Sequence, residues 1–310
     1  MNREQLLETV AGLNTFRSGE RRAPHKPLLV LSALAELQQG RDRLPFNDAR
    51  SMLLPLLNAW APPVATRHQP ELPYWHLRGD GIWEVEGDEY LPRQAGGFPK
   101  MGALAETQAG FTPEVLGLLK HDPTLAGEIA DTVLNRYFPE SAREEIIAAV
   151  GLDEAALFNA VADTEPMAAR RQARNPRFRQ DVLRAYEHRC AATGFRAALA
   201  GTYFGCEAAH VQWHAYEGPD MVSNGLCLEP TLHKLFDAGA WSLTDNHEIL
   251  VSREFTGSDT AVARLRDLHG KPLRQPIPGE PKVSVDYIRW HREPELGGVF
   301  RGPSLAGWHR

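Results

Sequence analysis

The sequence predicts an α+β chain in two parts: a mixed helix and β-hairpin N-terminal domain, then a second, smaller α+β domain. Three observations carry this. Apolar residues recur at helical spacing over much of the first 60 residues and again over 114–150. Between them lies HQPELPYWHLRGDGIWEVEGDEYL, aromatic-rich, alternating and broken by Gly-Asp-Gly. Finally, formal charge is zero over residues 1–100, −8 over 101–170 and +2 over 171–310, so its sign switches where a domain boundary is expected. The predicted domains are 1–160 and 176–310, with 161–175 as linker; 310 residues suit two of them.

Each element has a local reason. Leu6, Leu7, Val10 and Leu13 predict a helix within residues 1–18. Pro27 opens the next apolar run and Gly40 closes it, following the preference for proline early in a helix and glycine after its end. Residues 49–60 predict a helix with Pro55 as a kink. The aromatic stretch predicts a hairpin of strands 74–79 and 82–87. Residues 114–137 and 139–150 return to helix, and the Ala-rich, acidic 151–169 reads as a helical linker. Beyond it come a helix over 176–188, a strand in TYFGCEAAHVQW, a loop, and the helix TLHKLFDAG with Thr231 as cap and Gly239 at its end. The hairpin WSLTDNHEILVS turns at Asp245-Asn246.

Composition narrows the function. No run of about 18 apolar residues exists, so no transmembrane helix is expected, and MNREQLLETV lacks a signal-peptide core. Three cysteines make no disulfide framework; buried reduced thiols and a cytoplasmic location are expected. A net charge of −6 argues against a non-specific nucleic-acid coat. Two basic clusters break the average: RSGERRAPHK, and RRQARNPRFR with Arg170, Arg171, Arg174, Arg177 and Arg179. They read as solvated charge or as surfaces for a DNA backbone.

The residues with chemistry are His210, Asn224 and His233, spaced 14 and 9 apart in CEAAHVQW…DMVSNGLCLEPTLHKLFDAG. This run, within 178–252, resembles the HNH endonuclease motif in the variant of McrA-like type IV restriction enzymes. The resemblance implies a ββα-metal unit cutting phosphodiester bonds with a divalent ion such as Mg²⁺ or Mn²⁺. It implies His210 as general base, Asn224 as the residue fixing the loop, and His233 as metal ligand. A histidine titrating near neutrality suits the base. One position departs from the pattern: Ala209 stands where an Asp ligand is common. Glu207 shares its strand face, displaced by about 6–7 Å, and is the candidate replacement. Its alternative is a cross-strand pair with Arg189 or Arg196. Asp220 and His214 are further ligand candidates, whereas His247 is expected on the surface. Where many HNH domains carry Cys-x-x-Cys staples, CAATG offers Cys190 alone.

RRAPHKPLLVLSAL and ELPYWHL–GDGIW resemble the sulfur-binding domain that precedes HNH in restriction endonucleases of phosphorothioated DNA, over roughly residues 5–150. This implies recognition of duplex DNA with sulfur replacing a non-bridging phosphate oxygen. Sulfur is more polarisable and a poorer hydrogen-bond acceptor than oxygen, so an apolar cup penalises the oxygen more. Pro73, Tyr74 and His76 are candidates for the cup; Arg22, His25, Lys26, Arg78 and Lys100 are candidates for touching bases or phosphates. The competing reading puts Trp75, Leu77 and Trp83 in the core and makes His25-Lys26-Pro27 an ordinary helix start.

The expected function is a modification-dependent (type IV) restriction endonuclease for phosphorothioate DNA. The alternatives are an HNH nuclease reading another modification such as methylcytosine, and a DNA-binding sensor with a degenerate nuclease. One site cuts one strand, so a homodimer is expected, with the C-terminal VSVDYIRWHREPELGGVFRGPSLAGW as a candidate interface.

Overall fold

The computed structural model of the chain describes residues 1–15, 17–18, 21–61, 67–153, 176–296 and 298–303. They form two compact units, one from Met1–Arg17 and Arg22–Ala169, the other from Ser18–Arg21 and Arg170–Arg310. The architecture is α+β throughout, and no helix among the described residues is long and apolar enough to cross a membrane. The expected linker lies outside the described residues.

In the first unit α1 (Arg3–Ala11) starts at a capping box in which Asn2 and Gln5 satisfy each other's backbone N–H. The two-residue strands β1 (Arg17–Ser18) and β2 (Arg21–Arg22), of which Ser18–Arg21 belongs to the other unit, precede α2 (His25–Gln38). Helix α2 is buried from Lys26 to Ala35, so it runs through the core rather than along it. Strand β3 (Leu44–Pro45) precedes α3 (Phe46–Trp60), which runs through Pro55. After α4 (Glu71–His76), strand β4 (Trp83–Val85), the short α5 (Met101–Leu104) and β5 (Gln108–Phe111) complete an antiparallel sheet of order β3-β5-β4. Helices α6 (Pro113–His121), α7 (Leu125–Tyr137) and α8 (Arg143–Val150) close the unit. The helix expected over 114–137 is therefore two: Pro123 cannot donate a helical N–H, and the chain breaks there.

The hairpin expected over 74–87 is not formed. Residues 71–76 are helical, Leu77–Asp80 is a 3₁₀ turn ending at Gly81 with φ 76°, and only Trp83–Val85 is extended. That strand pairs with β5, Trp83 opposite Phe111. The physical reason lies in the apolar spacing. Pro73, Tyr74, Trp75 and Leu77 are all buried, including three consecutive positions that a half-exposed strand would send to alternate faces. Trp83 Nε1–H then donates to the Tyr74 carbonyl, tying the strand to the turn.

The second unit opens with α9 (Pro176–Ala185). Strands β6 (Ala197–Leu199) and β7 (Thr202–Phe204) form a hairpin. The single strand expected in TYFGCEAAHVQW is split at Gly205, whose φ of 84° turns the chain before β8 (Glu207–His210). Strand β8 pairs antiparallel with β9 (Gly225–Leu228), His210 opposite Gly225 and Glu207 opposite Leu228. Helix α10 (Pro230–Asp237) follows at once, completing β-β-α. Its cap position is Glu229, with Pro230 in the first turn, rather than Thr231. Strands β10 (Trp241–Leu243) and β11 (Ile249–Val251) pair across a five-residue loop, longer than the two-residue turn expected. Helices α11 (Asp259–Arg266) and α12 (Val285–Arg292) complete the unit. Helix α12 buries Ile288, Trp290 and His291 within its own unit, so this part of the candidate interface is spent on the core.

Candidate functional site: a histidine–carboxylate cleft

Strand β8 and helix α10 bring Glu207 and His233 together, with Glu207 Oε2 at 2.8 Å from His233 Nδ1. The other ring nitrogen, Nε2, lies 3.2 Å from Asp237 Oδ2, one helical turn further along α10. Asp237 is buried, and its Oδ1 accepts the Trp213 indole N–H at 3.1 Å. His233 is thus held between two carboxylates, one of them anchored. Burial alone would push its pKa down, yet Asp237 and Glu207 together raise it to about 10. Glu207 is held below the usual carboxylate range by its hydrogen bond to His233. Its partner is therefore the histidine, not a cross-strand arginine.

His210 sits at the end of β8, stacked on Phe178 at 4.0 Å between ring centroids. Its Nε2 is 2.9 Å from Asp220 Oδ1. Burial lowers its pKa, with Asp220 opposing, so the ring is neutral near pH 7. A neutral ring bonded this way donates Nε2–H to Asp220 and keeps its lone pair on Nδ1, where a proton can be accepted. His214, exposed and 6.3 Å from the His210 ring, adds to the lowering by its charge.

Asn224 is fully buried and makes three hydrogen bonds. Its Oδ1 accepts from Gln212 N, and its Nδ2 donates to the carbonyls of Gln212 and Pro219. These bonds close the loop between β8 and β9 around Gly218. A Cβ at Gly218 would lie 1.8 Å from the Gln212 carbonyl, so no larger residue fits. His247, expected on the surface, tethers the chain instead, donating from Nε2 to the Val283 carbonyl.

Carboxylate oxygens and an imidazole nitrogen suit Mg²⁺ or Mn²⁺ chemically. Among the described residues no three His, Cys, Asp or Glu side chains are arranged as a metal site. Both nitrogens of His233 face carboxylates, so a cation taken up here must replace one of those contacts. Cys190, Cys206 and Cys227 are buried and unbridged.

The first-unit candidates divide. Tyr74 is core: it is fully buried, packs edge-on against Phe46 and Trp83, and its hydroxyl donates towards the Leu44 and Thr107 carbonyls. It cannot line a surface cup. Pro73 is buried beside it, while Leu72 and His76 are the exposed side chains of α4. Lys26 is buried and paired with Asp80, so its charge is already balanced. Arg78 lies over the Trp75 ring at 3.5 Å and pairs with Asp88. His76 is exposed, and partial burial together with Lys26 and Arg78 lowers its pKa. Lys26 and Arg78 are thus each paired with a carboxylate, and Arg93 also approaches the Trp75 ring. Lys100 is exposed. His25 stands at the start of α2, its ring 5.7 Å from that of His68, with its pKa lowered to about 4 by burial and by His68. Arg22 lies on β2. In the second cluster Arg177 is exposed beside Asp181, while Arg170, Arg171 and Arg174 lie outside the described residues.

The chain is thus an α+β protein of two units, the second carrying a β-β-α run with His233 held between Glu207 and Asp237. Residues 190–244 match an HNH endonuclease family, and residues 3–155 match the ScoMcrA-like DNA sulfur-binding domain family. The chain thus carries a ScoMcrA-like sulfur-binding domain followed by an HNH domain.

Among solved structures it resembles the sulfur-binding domain of ScoMcrA complexed with phosphorothioated DNA, at 23% identity and TM-score 0.41, covering 49% of this chain and 97% of that one. It also resembles the type IV phosphorothioation-dependent restriction endonuclease ScoMcrA, at 22% identity and TM-score 0.40, covering 52% of this chain and 35% of that one. A third likeness is to the modification-dependent TagI restriction endonuclease, at 28% identity and TM-score 0.30, covering 37% of this chain and 36% of that one. The matches to ScoMcrA and TagI endonucleases thus span about a third of those chains. No curated protein matches the chain.

Proposed function

We propose that this chain is a modification-dependent, type IV restriction endonuclease. Residues 1–160 bind phosphorothioate-modified duplex DNA, and residues 176–310 hydrolyse phosphodiester bonds nearby. The observation that carries the reading is the conjunction of a sulfur-binding-domain family match with an HNH match whose unit holds a neutral, Asp220-oriented His210 beside the Glu207–His233 pair.

In this reading His210 Nδ1 takes the proton of the attacking water, and Asp220 stabilises the imidazolium that results. Asn224 holds the β8–β9 loop so that His210 keeps its place. Glu207 and His233 would hold a divalent ion, with Asp237 orienting the His233 ring. Such an ion, when bound, supplies charge neutralisation for the phosphorane-like transition state and assistance to the leaving oxygen. In the first unit His76, Arg78 and Lys100 meet the modified backbone, beside the exposed apolar side chain of Leu72. Arg170, Arg171, Arg174 and Arg177 contribute phosphate contacts independent of the modification. Two copies cut the two strands.

The test is cleavage of one plasmid with and without phosphorothioate, in Mg²⁺ and in Mn²⁺. The expected result is cutting of the modified plasmid alone. Equal cutting of both removes the sulfur reading, and cutting of neither removes the nuclease.

A further inference from the structure

The β6–β7 hairpin exposes apolar surface that the catalytic reading leaves unused. Leu199 is 73% exposed, Phe204 55%, and Phe195 and Tyr203 each 42%. Soluble surfaces seldom gather such side chains without a partner. The hairpin is built to hold them outward. Its two-residue turn, Ala200-Gly201, has positive φ at both positions, 49° and 82°, the geometry that matches strand twist. At its base the His188 ring stacks on Tyr203 at 4.6 Å, and the Arg196 guanidinium lies 4.2 Å from the centre of the Tyr203 ring while bonding its hydroxyl. The Tyr203 ring is thereby held between His188 and Arg196.

Charge decides what covers this face. Residues 188–206 include Arg189, Arg196 and His188 and no Asp or Glu. Exposed Arg179 on α9 acts electrostatically on both His188 and Glu207. Glu207 lies three positions after Phe204, a reach of about 10 Å along the chain. An apolar tip with arginines beside it and acids, Glu187 and Glu207, only beyond its ends is the chemistry that enters a groove of DNA, apolar side chains against bases and guanidinium groups at phosphates. A protein partner of neutral surface would gain nothing from the cations.

We propose that the Ala197–Phe204 hairpin is a DNA wedge of the cutting domain, setting Leu199 and Phe204 against base steps while Arg196 and Arg179 meet the flanking phosphates. This rests on the second unit acting on DNA, and it assigns the hairpin the task of holding the duplex beside the cleft. The test uses the full chain in EDTA, where no cutting occurs, with a duplex carrying 2-aminopurine at successive positions, with and without phosphorothioate. Wild type is expected to raise the fluorescence at one or two steps. The L199S/F204S variant should lose that rise and bind both duplexes about tenfold more weakly, with the preference for sulfur unchanged. L199S alone should show a smaller loss, and thermal melting confirms folding of both. Wild-type fluorescence and affinity in the double variant overturn the proposal. So does a change confined to the sedimentation coefficient, which reassigns the hairpin to self-association. A chain that cuts no DNA in any divalent ion, yet keeps the Leu199-dependent rise, removes the nuclease reading and supports the wedge.

Discussion

His25, at the entrance of α2 in the first unit, and His233, in the cleft of the second, are both drawn out of water, yet they shift in opposite directions. His25 meets burial and a second histidine, and falls to about 4. His233 meets burial too, but Asp237 and Glu207 outweigh it and lift it to about 10. The difference teaches that burial keeps an enclosed imidazole neutral unless carboxylate partners outweigh it. It separates the two units chemically. The first encloses a neutral ring against a second imidazole, while the second keeps a cation among carboxylates, where a metal ion can take its place.

The largest effect expected on this comparison comes from the third histidine. His210→Ala should lower cutting of modified plasmid by roughly 10²–10⁴-fold, the usual worth of a general base, while gel-shift binding of phosphorothioate duplex stays unchanged. Loss of binding in that variant would break the separation of the two units. Next, Asp237→Asn removes the anchored carboxylate. The His233 titration midpoint, read by nitrogen NMR of the metal-free chain, should drop from about 10 towards its ordinary value, and Mn²⁺ affinity should fall about 10–100-fold. A midpoint that stays put would show that Glu207 alone holds the charge.

A smaller effect concerns His25. Its folded pKa is depressed, so below the ordinary value of 6.5 the unfolded chain binds a proton that the folded chain refuses. Its contribution to stability is intact above that value and declines as the pH falls towards about 4. His25→Gln should therefore make stability in urea less steeply dependent on pH over that window; an unchanged slope would place the proton elsewhere. His233 runs the other way, its contribution being complete below 6.5 and lost as the pH rises through about 10. The smallest effect is Tyr74→Phe, which should cost about 1 kcal/mol in denaturation and nothing in DNA affinity. A loss of affinity would return Tyr74 to the binding surface.

The two units also differed in how much their sequences disclosed. His210, Asn224 and His233 were legible through the resemblance of CEAAHVQW…DMVSNGLCLEPTLHKLFDAG to the HNH motif, several positions agreeing at once. Glu207 followed from strand alternation. Asp237 escaped notice, since an acid near the end of an amphipathic helix reads as solvated until Trp213 is seen to bury it. In the first unit, alternation and helical periodicity both fit Tyr74, Trp75 and Leu77, and only packing against Phe46 and Trp83 chose the helix. A cup is a matter of surface shape, so side chains adjacent in sequence, such as Leu72 and Pro73, meet opposite fates there. Lys26 looked like a free cation because Asp80 is 54 residues away.

The three thiols have a practical consequence. Cys190, Cys206 and Cys227 are all enclosed, and burial raises Cys206 and Cys227 above the ordinary thiol range. Alkylating and maleimide reagents, which need accessible thiolate, should pass them by in the folded chain. The wild-type sequence is therefore a silent background for fluorophores: a cysteine introduced at exposed Leu199 or Lys100 would report by itself on the tip of the hairpin or the face of the first unit.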